Sequence, residues 1–478
     1  MTTEETKPPI TGRELIEWGH RSGPQFAALL EKANAARAEG YGLMKIRDML
    51  ADDLPPPAPP TLALHAPGAV PVHVNIETEE ADEVDNVEKV TATMQALMRT
   101  PTLRAGAIMP DACPAGPVGT IPVGGVAAAE NAIHPGMHSA DICCSVMLTD
   151  LGHADPKAVL DAASAATHFG PGGRVEGQQI AVPSGIMEAF RENPFLNEVK
   201  ALRMAESHMG TQGDGNHFLF VGRSRATGRT AMITHHGSRG PGARLYRAGM
   251  AVAERYRQVL SPATLKQNAW IPADTDEGRD YWAALQLIRA WTKANHEAIH
   301  DAVAERTGAA VADRFWNEHN FVFERGGLYY HGKGATPAWA GFAADATART
   351  LIPLNMAEPV LVVRGRDAGH ALGFSPHGAG RNFSRSEHRR RMGRRTPAQL
   401  LAAETAGLDV RFHAGRVDIS ELPSSYKRAD AVVRQIDRYG LARIEDYIDP
   451  YGCIMAGDLP QPWQKPKKRV AGANAQPG

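Results

Sequence analysis

The sequence has few cysteines, no long apolar run and almost no net charge. Four cysteines in 478 residues do not suggest the disulfide framework of a small secreted protein. No run of about 18 uncharged apolar residues occurs, which argues against a membrane-spanning helix. The first residues also lack the basic and apolar regions of a signal peptide. We therefore expect the reducing environment of the cytoplasm.

The charges of the chain nearly cancel. Lysine and arginine together number 52, and aspartate and glutamate 53. A nonspecific binder of polyanions would be strongly basic, so this class is disfavoured, although a local basic groove is compatible with the total. The 43% of hydrophobic residues is typical of a globular protein whose core needs no disulfides.

Residues 11–50 are predicted to be helical. Thr11 and Glu14 have the spacing of a capping box, and an apolar stripe with helical period follows at Phe26, Leu29, Leu30 and Ala33. The proline-rich stretch 55–60 fits neither a helix nor a central strand. We expect three regions, which are a helical N-terminal extension with a Pro-rich linker (1–60), a catalytic domain (61–458) and a flexible C-terminal tail (459–478).

Beyond the linker, short apolar runs among glycine, proline and alanine predict a loop-rich α/β domain. An amphipathic helix is indicated by the spacing of Val87, Val90, Met94 and Leu97. The strand candidates are 145–149, 217–221, 231–235 and 359–364. The other helix candidates are 281–305 and 424–438, the latter with Tyr426, Ala429, Val432 and Ile436 on one side.

Five short segments concentrate histidine, cysteine and aspartate among glycines, at 141–144, 215–218, 235–240, 317–320 and 377–381. Taken alone, each fits a bland interpretation: a hydrogen-bonded histidine, a glycine turn, or small buried cysteines. Together, a thiolate, a carboxylate and several imidazoles are ligands that suit manganese, zinc or iron. Arg239 and Arg381 lie in glycine-flanked loops, where a guanidinium can bind phosphate through two hydrogen bonds.

These segments resemble, in the same order, the motifs of the RtcB family of RNA-splicing ligases. The family motif Asp-Ile-Gly-Cys-Gly is similar to residues 141–145, and Gly-Asn-His-Phe-Leu is similar to 215–219. The motif His-Ser-Gly-Ser-Arg-Gly is similar to 235–240, Glu-His-Asn to 318–320, and Lys-Gly-Ala-Thr-Pro to 333–337. The motif His-Gly-Ala-Gly-Arg is similar to 377–381, and the Ser-Arg that follows it is similar to 384–385. An upstream Met-Pro-Asp resembles 109–111, and a late Tyr-Lys near acidic residues resembles 421–427. The resemblance covers about residues 85–457, and an ordered series of blocks is far more specific than one motif.

The resemblance implies a mixed α/β fold with two manganese ions in a central cleft. Its metal ligands would be Asp141, Cys144, His217, His235 and His319, with Cys144 bridging the ions. His377 would attack the α-phosphate of GTP and form a guanylyl-histidine. The partner would be RNA with a 3′-phosphate or 2′,3′-cyclic phosphate at one end and a 5′-hydroxyl at the other. Protein partners remain unknown, and no membrane is expected as a partner.

The resemblance also implies nucleotide and phosphate contacts, which would come from Asn216, Ser238, Arg239, His319, Asn320, Gly378, Ala379, Gly380 and Arg381. For Asn216, Ser238 and the two arginines, capping of loops is an equally good interpretation. Possible RNA contacts are Asp111, Arg385, Arg389 and Arg390. The basic stretch 388–395 fits either an RNA backbone contact or a solvated surface helix, and its closeness to His377 favours RNA.

The chain departs from the family pattern around the expected guanine pocket. Cys143 and Ser145 replace glycines, and Cys113 replaces a histidine. Phe220 stands at a glutamate position and Ala456 at a lysine position, while Leu-Asn-Met-Ala at 354–357 replaces Gly-Ser-Met-Gly. The specificity for GTP is therefore less firmly predicted than the binding of metal ions. Two alternatives stay open, a metal-dependent cyclic phosphodiesterase that processes RNA ends and a non-catalytic RNA-binding relative.

Overall fold

The computed structural model describes residues 8–20, 25–53, 61–78 and 81–458. Contacts divide the chain into two compact units, Met1–Thr61 and Leu62–Gly478. The predicted Pro-rich linker at 55–60 and the predicted tail at 459–478 lie outside the described residues. Each unit is therefore considered by itself.

The first unit contains three helices, as its apolar periodicity predicts. They are α1 (Gly12–Glu17), α2 (Phe26–Ala38) and α3 (Leu43–Met49). Leu15, Ala33 and Ile46, one from each helix, are fully buried and form a small core. The backbone N–H of Thr11 donates to the Glu14 carboxylate over 2.6 Å, which satisfies a free donor at the start of α1.

The described part of the second unit has nine longer helices. They are α4 (Val84–Leu97), α5 (Pro156–Ala166), α6 (Ser184–Glu192), α7 (Val199–Ser207), α8 (Arg239–Leu260), α9 (Asp276–Thr307), α10 (Arg385–Arg391), α11 (Pro397–Glu404) and α12 (Ala429–Arg438). Val90, Met94 and Leu97 are buried on one side of α4, as the sequence predicts. None of the helices in the described ranges combines the length and the apolar character needed to cross a membrane.

Strands alternate with these helices, and the second unit has a mixed α/β fold. The strands are β1 (Val72–Val74), β2 (Leu103–Cys113), β3 (Val123–Glu130), β4 (Ala132–Ile133), β5 (Ser145–Asp150), β6 (His168–Phe169), β7 (Thr211–Gly213), β8 (Phe218–Ser224), β9 (Thr230–His236), β10 (Ile271–Pro272), β11 (Asp313–Glu318), β12 (Asn320–Arg325), β13 (Leu328–Lys333), β14 (Ala335–Pro337), β15 (Arg349–Pro353), β16 (Val360–Gly365), β17 (Phe374–Pro376), β18 (Asp409–Phe412) and β19 (Ala442–Met455). All four predicted strands are present, with boundaries shifted by up to three residues.

Two sheets dominate the second unit. The larger has eight strands, in the order β11-β5-β9-β8-β19-β16-β15, with β18 pairing alongside β19. The smaller has five strands in the order β1-β2-β3-β13-β12. The 32-residue helix α9 packs against the larger sheet and buries Leu285, Ile288 and Trp291 in the main core. The two sheets and α9 thus form a rigid base on which loops can be positioned.

One helix prediction is wrong at its start. The apolar spacing predicts a helix over 424–438, but α12 begins only at Ala429. A 3₁₀ turn at Pro423–Ser425 precedes it, and the buried Lys427 ammonium donates to the Pro110 carbonyl over 3.1 Å. Tertiary contacts of residues 426–427 therefore override the local periodicity.

Candidate active site

Four neighbouring strands of the larger sheet bring together side chains that are far apart in sequence. Along the order β11-β5-β9-β8, adjacent strands are antiparallel. The end of β11, the start of β5, the end of β9 and the start of β8 therefore meet at one edge of the sheet. The residues at these four points are His319, Cys144, His235 and His217.

A tight turn before β5 presents Asp141 and Cys144 at this edge. Cys143 has a φ of 55°, in the left-handed region where glycine is favoured. Its backbone N–H donates to the Asn320 carbonyl over 2.7 Å, and the His319 N–H donates to the Cys144 carbonyl over 2.9 Å. The turn therefore keeps a left-handed residue at a position where the family has glycine, and it lies directly against the His319 loop.

A glycine completes the space around the Asp141 carboxylate. A Cβ atom on Gly237 would lie 2.0 Å from Asp141 Oδ1, closer than any real contact between these atoms. Gly237 follows directly after β9. Any larger residue there would displace the carboxylate from the site.

The imidazoles of His217 and His235 are oriented by hydrogen bonds from Nδ1 to backbone carbonyls. Nδ1 of His217 lies 2.8 Å from the Gln212 carbonyl, and Nδ1 of His235 lies 3.1 Å from the Asn216 carbonyl. Each Nδ1 therefore carries a proton, and Nε2 is the ring atom of each histidine that can coordinate a metal ion.

The Nε2 atoms converge on the Cys144 thiol. Cys144 Sγ lies 3.2 Å from Nε2 of His235 and 3.6 Å from Nε2 of His217. Nε2 of His319 is 3.2 Å from Nε2 of His235, and Asp141 Oδ2 is 3.2 Å from Nε2 of His217. Such a concentration of lone pairs and negative charge is the environment of a cation site.

The cluster divides into two groups of potential metal ligands that share Cys144. One group is Cys144, His235 and His319, and the other is Asp141, Cys144 and His217. Within each group, the potential ligand atoms all lie within 4.8 Å of one another. A thiolate with several lone pairs can bridge two ions, so the donor set fits a pair of divalent cations.

The electrostatics of Asp141, His235 and His319 suit metal ligands, whereas burial raises the pKa of the Cys144 thiol, which a bound cation would have to offset. Burial disfavours charge on Asp141, but the neighbouring His217 outweighs this effect and holds the pKa of the carboxyl at about 2. Burial, reinforced by His217, lowers the pKa of His235 to about 3, and burial also lowers the pKa of His319 well below its usual value. At neutral pH the carboxylate is charged and these two imidazoles are neutral, as coordination requires.

His377 lies next to this cluster. It follows β17, and the centroid of its ring is 4.8 Å from that of His319. A Cβ atom on Gly334, which has a φ of 63°, would come within 2.9 Å of His377 Cε1. Glycine at this position therefore leaves the space that the imidazole occupies.

Asp111 orients His377 from the opposite side. Its Oδ2 lies 2.5 Å from His377 Nδ1 and accepts the backbone N–H of His377 over 3.2 Å. This contact stabilises the tautomer with the proton on Nδ1 and leaves a lone pair on Nε2. Asp111 is fully buried, so the structure places it against His377 and not at the surface with the other predicted RNA contacts, Arg385, Arg389 and Arg390. The Met-Pro-Asp motif indicated that Asp111 matters, but not what it touches.

A cavity of about 320 Å³ opens over these groups. Its lining includes Asp141, Cys144, His235, His319 and His377. Several predicted phosphate-binding residues also line it, namely Asn216, Asn320, Gly378, Ala379, Gly380 and Arg381. The cavity thus brings the potential metal ligands, the candidate nucleophile and much of the predicted phosphate site into one space.

Two predicted phosphate contacts are placed differently. The Ser238 hydroxyl is buried and donates to the Ile142 carbonyl over 2.6 Å. The Arg239 guanidinium donates to the Gly170 carbonyl over 2.6 Å and to the Thr211 hydroxyl over 3.2 Å. Both side chains hold loops together, so loop capping is the correct interpretation for them.

Arginines cover the side of the cavity near His377. Arg381 donates to Glu421 over 2.8 Å, and its guanidinium lies over the Tyr426 ring. Arg385 reaches the same carboxylate over 2.8 Å, and its side chain is 48% exposed. Further out, Arg389 and Arg390 are exposed and form ion pairs with acidic side chains. This surface has cations that can exchange a carboxylate partner for phosphate.

The sequence did not reveal a layer of buried polar groups beneath the ligands. His296 on α9 lies with Nε2 3.0 Å from the Ser145 hydroxyl and Nδ1 2.6 Å from the Thr234 hydroxyl. Ser145 follows Cys144, and Thr234 precedes His235. The ring of His296 also stacks on His236, with centroids 3.5 Å apart. His296 thus connects the side chains of two residues that neighbour the potential metal ligands Cys144 and His235.

The layer continues along α9 through His300. Its Nε2 is 2.7 Å from the Thr234 hydroxyl, and its Nδ1 is 2.7 Å from the Thr149 hydroxyl. His296 and His300 are four residues apart, so they lie on the same side of the helix. This spacing was the only signal in the sequence, and it matches no motif of the family.

Removing His296 is expected to weaken metal binding without removing a ligand. In His296→Leu, we expect manganese affinity to fall about tenfold to a hundredfold, the usual effect of losing a group that orients a metal ligand. His296→Gln keeps a donor and an acceptor and should recover most of the affinity. The measurement is a titration of free Mn²⁺ by electron paramagnetic resonance. Equal affinity in His296→Leu and the wild type would contradict this role.

Four of the departures from the family pattern line the cavity, namely Cys113, Phe220, Leu354 and Asn355. Ala456, at the family's lysine position, is fully buried in a different hydrophobic cluster. Apart from Asn355, none of these side chains is charged or an amide.

Comparison with known proteins gives one consistent family. A profile described as "tRNA-splicing ligase RtcB" matches residues 172–456. A protein of that name from Thermococcus kodakarensis is 28% identical over an alignment of 333 positions, which covers 60% of this chain and 64% of the relative. An RtcB protein from Pyrococcus abyssi is 27% identical over an alignment that covers 59% of this chain and 33% of the relative. One from Archaeoglobus fulgidus is also 27% identical, and its alignment covers 69% of this chain and 84% of the relative. The match with the first two thus spans less than two thirds of either relative.

Proposed function

The chain belongs to the RtcB family, and from this membership we propose that it is an RNA ligase acting in RNA splicing or repair. It joins an RNA end with a 3′-phosphate or 2′,3′-cyclic phosphate to a 5′-hydroxyl end. The observation that carries the proposal is the position of His377, whose ring centroid lies 4.8 Å from that of His319 while its Nδ1 lies 2.5 Å from Asp111. A nucleophile oriented beside a cation site is the arrangement that phosphoryl transfer needs.

The first step is nucleotide transfer to the enzyme. Nε2 of His377 attacks the α-phosphorus of GTP, the bond from that phosphorus to the bridging oxygen breaks, and pyrophosphate leaves. The proton on Nδ1 stays in its hydrogen bond with Asp111, which stabilises the positive charge on the ring. A guanylyl-histidine results.

The second and third steps use the RNA ends. An oxygen of the RNA 3′-phosphate attacks the guanylyl phosphorus, and His377 leaves as a neutral imidazole. The 5′-hydroxyl then attacks the 3′-phosphorus, the bond from that phosphorus to the GMP phosphate oxygen breaks, GMP leaves, and the hydroxyl proton is released to water. A cyclic phosphate is first opened by water, which breaks the bond to the 2′-oxygen and leaves a 3′-phosphate.

Two divalent cations are expected to bind the ligand groups that share Cys144. The mixed set of sulfur, nitrogen and oxygen donors is compatible with manganese, zinc or iron, and we propose Mn²⁺ because the chain belongs to the RtcB family. When bound, the cations neutralise charge on the phosphates and align the reacting oxygens. Asn216, Asn320 and the 378–381 loop are proposed to hold the phosphates, and Arg385, Arg389 and Arg390 to contact the RNA.

The test is a joining reaction with the full chain. An RNA fragment ending in a 2′,3′-cyclic phosphate and a second fragment with a 5′-hydroxyl are incubated with Mn²⁺ and GTP. A joined product that requires both additions supports the proposal. Release of a 3′-phosphate without joining would instead indicate the cyclic phosphodiesterase, and binding without turnover the non-catalytic relative.

Asp111→Asn is expected to slow formation of the nucleotide adduct while the protein keeps its metals. The amide has the size of the carboxylate, but it can donate to Nδ1 and so favour a proton on Nε2, which blocks the attacking lone pair. We expect a decrease of about a hundredfold or more, because the analogous change in a serine protease triad costs about 10⁴. Adduct formation is followed with α-labelled GTP on denaturing gels. An unchanged rate would show that Asp111 does not orient His377.

A further inference from the structure

The wall of the cavity next to the potential metal ligands is apolar. Phe218 and Phe220 on β8 lie across from Met455 and Cys453 on β19 in the antiparallel register. The wall is completed by Met356 and Val360, and all six side chains belong to one hydrophobic cluster. We call these six residues the apolar wall.

The apolar wall begins where the metal cluster ends. The Phe218 ring is 5.2 Å from the His235 ring, between centroids, and the two residues are paired across β8 and β9. A ligand whose phosphates lie beside His235 and His377 would therefore extend its other end along the wall. Six apolar side chains, two of them aromatic, suit a planar and weakly hydrated group such as a purine.

The apolar wall offers little with which to distinguish purines. None of its six side chains carries a charge, and burial raises the pKa of the Cys453 thiol to about 12, so this group is neutral. The neighbouring Asn355 uses its side-chain oxygen to accept the Ala357 N–H over 2.9 Å, so only its amide N–H is left as a donor beside the wall. Guanine and adenine differ in the donors and acceptors on their edges but share the N7 acceptor, so an apolar wall with one adjacent amide donor cannot strongly reject either one.

We propose that the apolar wall binds the base of the donor nucleotide by packing alone, so that this enzyme accepts adenosine and guanosine triphosphates with similar efficiency. The proposal rests on the proposed function for the identity of the ligand as a nucleoside triphosphate. Phe220, which pairs with Cys453 across β8 and β19 and stands where the family pattern has glutamate, is the residue that sets this tolerance.

A binding assay tests this inference independently of the ligation reaction. In the full-length His377→Ala variant with Mn²⁺, a fluorescent GTP analogue is displaced by unlabelled GTP or ATP. We expect half-displacement concentrations that agree within about tenfold, because an apolar pocket discriminates weakly. A preference above a hundredfold for either purine, or displacement by neither, would overturn the proposal.

Two variants test the role of the wall itself. Phe220→Leu removes the aromatic ring and should weaken the binding of GTP and of ATP by the same factor, several-fold or more. Phe315→Leu is the matched control, because Phe315 packs against the same cluster but is not part of the cavity lining. Thermal denaturation shows whether each variant folds. If Phe220→Leu does not fold, Met455→Leu, which conserves the side-chain volume, is used in its place. Unequal weakening of the two nucleotides would also contradict packing alone.

The wild-type protein then distinguishes the two proposals. Adducts with both labelled ATP and labelled GTP support both. An adduct with GTP alone supports the ligase and overturns the inference about the wall. Equal binding without any adduct or joined RNA overturns the ligase and leaves the inference about the wall standing.

Discussion

Replacing His377 by alanine is expected to abolish the covalent nucleotide adduct, with a rate at least about a thousandfold lower, because no other group supplies the attacking nitrogen. Manganese affinity should stay close to that of the wild type. The His377 ring packs beside His319, but His377 belongs to neither group of potential metal ligands. The adduct is measured with α-labelled nucleotide, and the metal by titration of the same sample.

The matched control for this variant is His370→Ala. His370 also lies near the start of the 374–376 strand, but it is exposed and its Nε2 contacts the Tyr439 carbonyl over 2.9 Å. It should form the adduct at the wild-type rate. An adduct that persists in His377→Ala would assign the nucleophile to another residue and refute the proposed chemistry.

The second large effect is expected from Cys144→Ala. Because both ligand groups include Cys144, its loss should weaken binding of both ions rather than one. We expect a decrease in manganese affinity of more than about a hundredfold, beyond the effect of losing an outer partner of a ligand. Isothermal titration gives both affinity and stoichiometry, and ligation should fall with them.

Cys143→Ala provides a close control for the second prediction. Cys143 is the adjacent residue and is fully buried, but it belongs to neither ligand group. Alanine keeps a side chain of similar character at the left-handed position, so the turn should persist. Equal losses in the two variants would show that Cys144 acts only through folding of the loop, and full affinity in Cys144→Ala would exclude it as a ligand.

The sequence predicted the convergence of the site because its motifs mark the ends of strands. Cys144, His217, His235 and His319 each lie at or next to the end of a strand that is short and apolar enough to recognise. The structure brings all four to one edge of the larger sheet. Local patterns could not supply the order of strands in that sheet, which depends on pairings between distant segments.

The side-chain roles that the sequence did not reveal share a cause, because the partners of these side chains are distant in sequence. Ser238 and Arg239 sit in a glycine-rich loop that suggests phosphate binding, yet their partners are backbone carbonyls and a hydroxyl from other loops. Asp111 was separated from His377 by 266 residues, so its role as an orienting group was invisible. His296 lies within a long helix whose apolar pattern conceals its polar contacts.

The central claim is that two cations bind side by side and share the sulfur of Cys144. Anomalous diffraction at the manganese edge, from crystals grown with Mn²⁺, tests it directly. The account predicts two peaks, each within about 2.6 Å of Cys144 Sγ, one next to His235 and His319 and the other next to Asp141 and His217. A single peak, or peaks that do not touch Cys144, would contradict it.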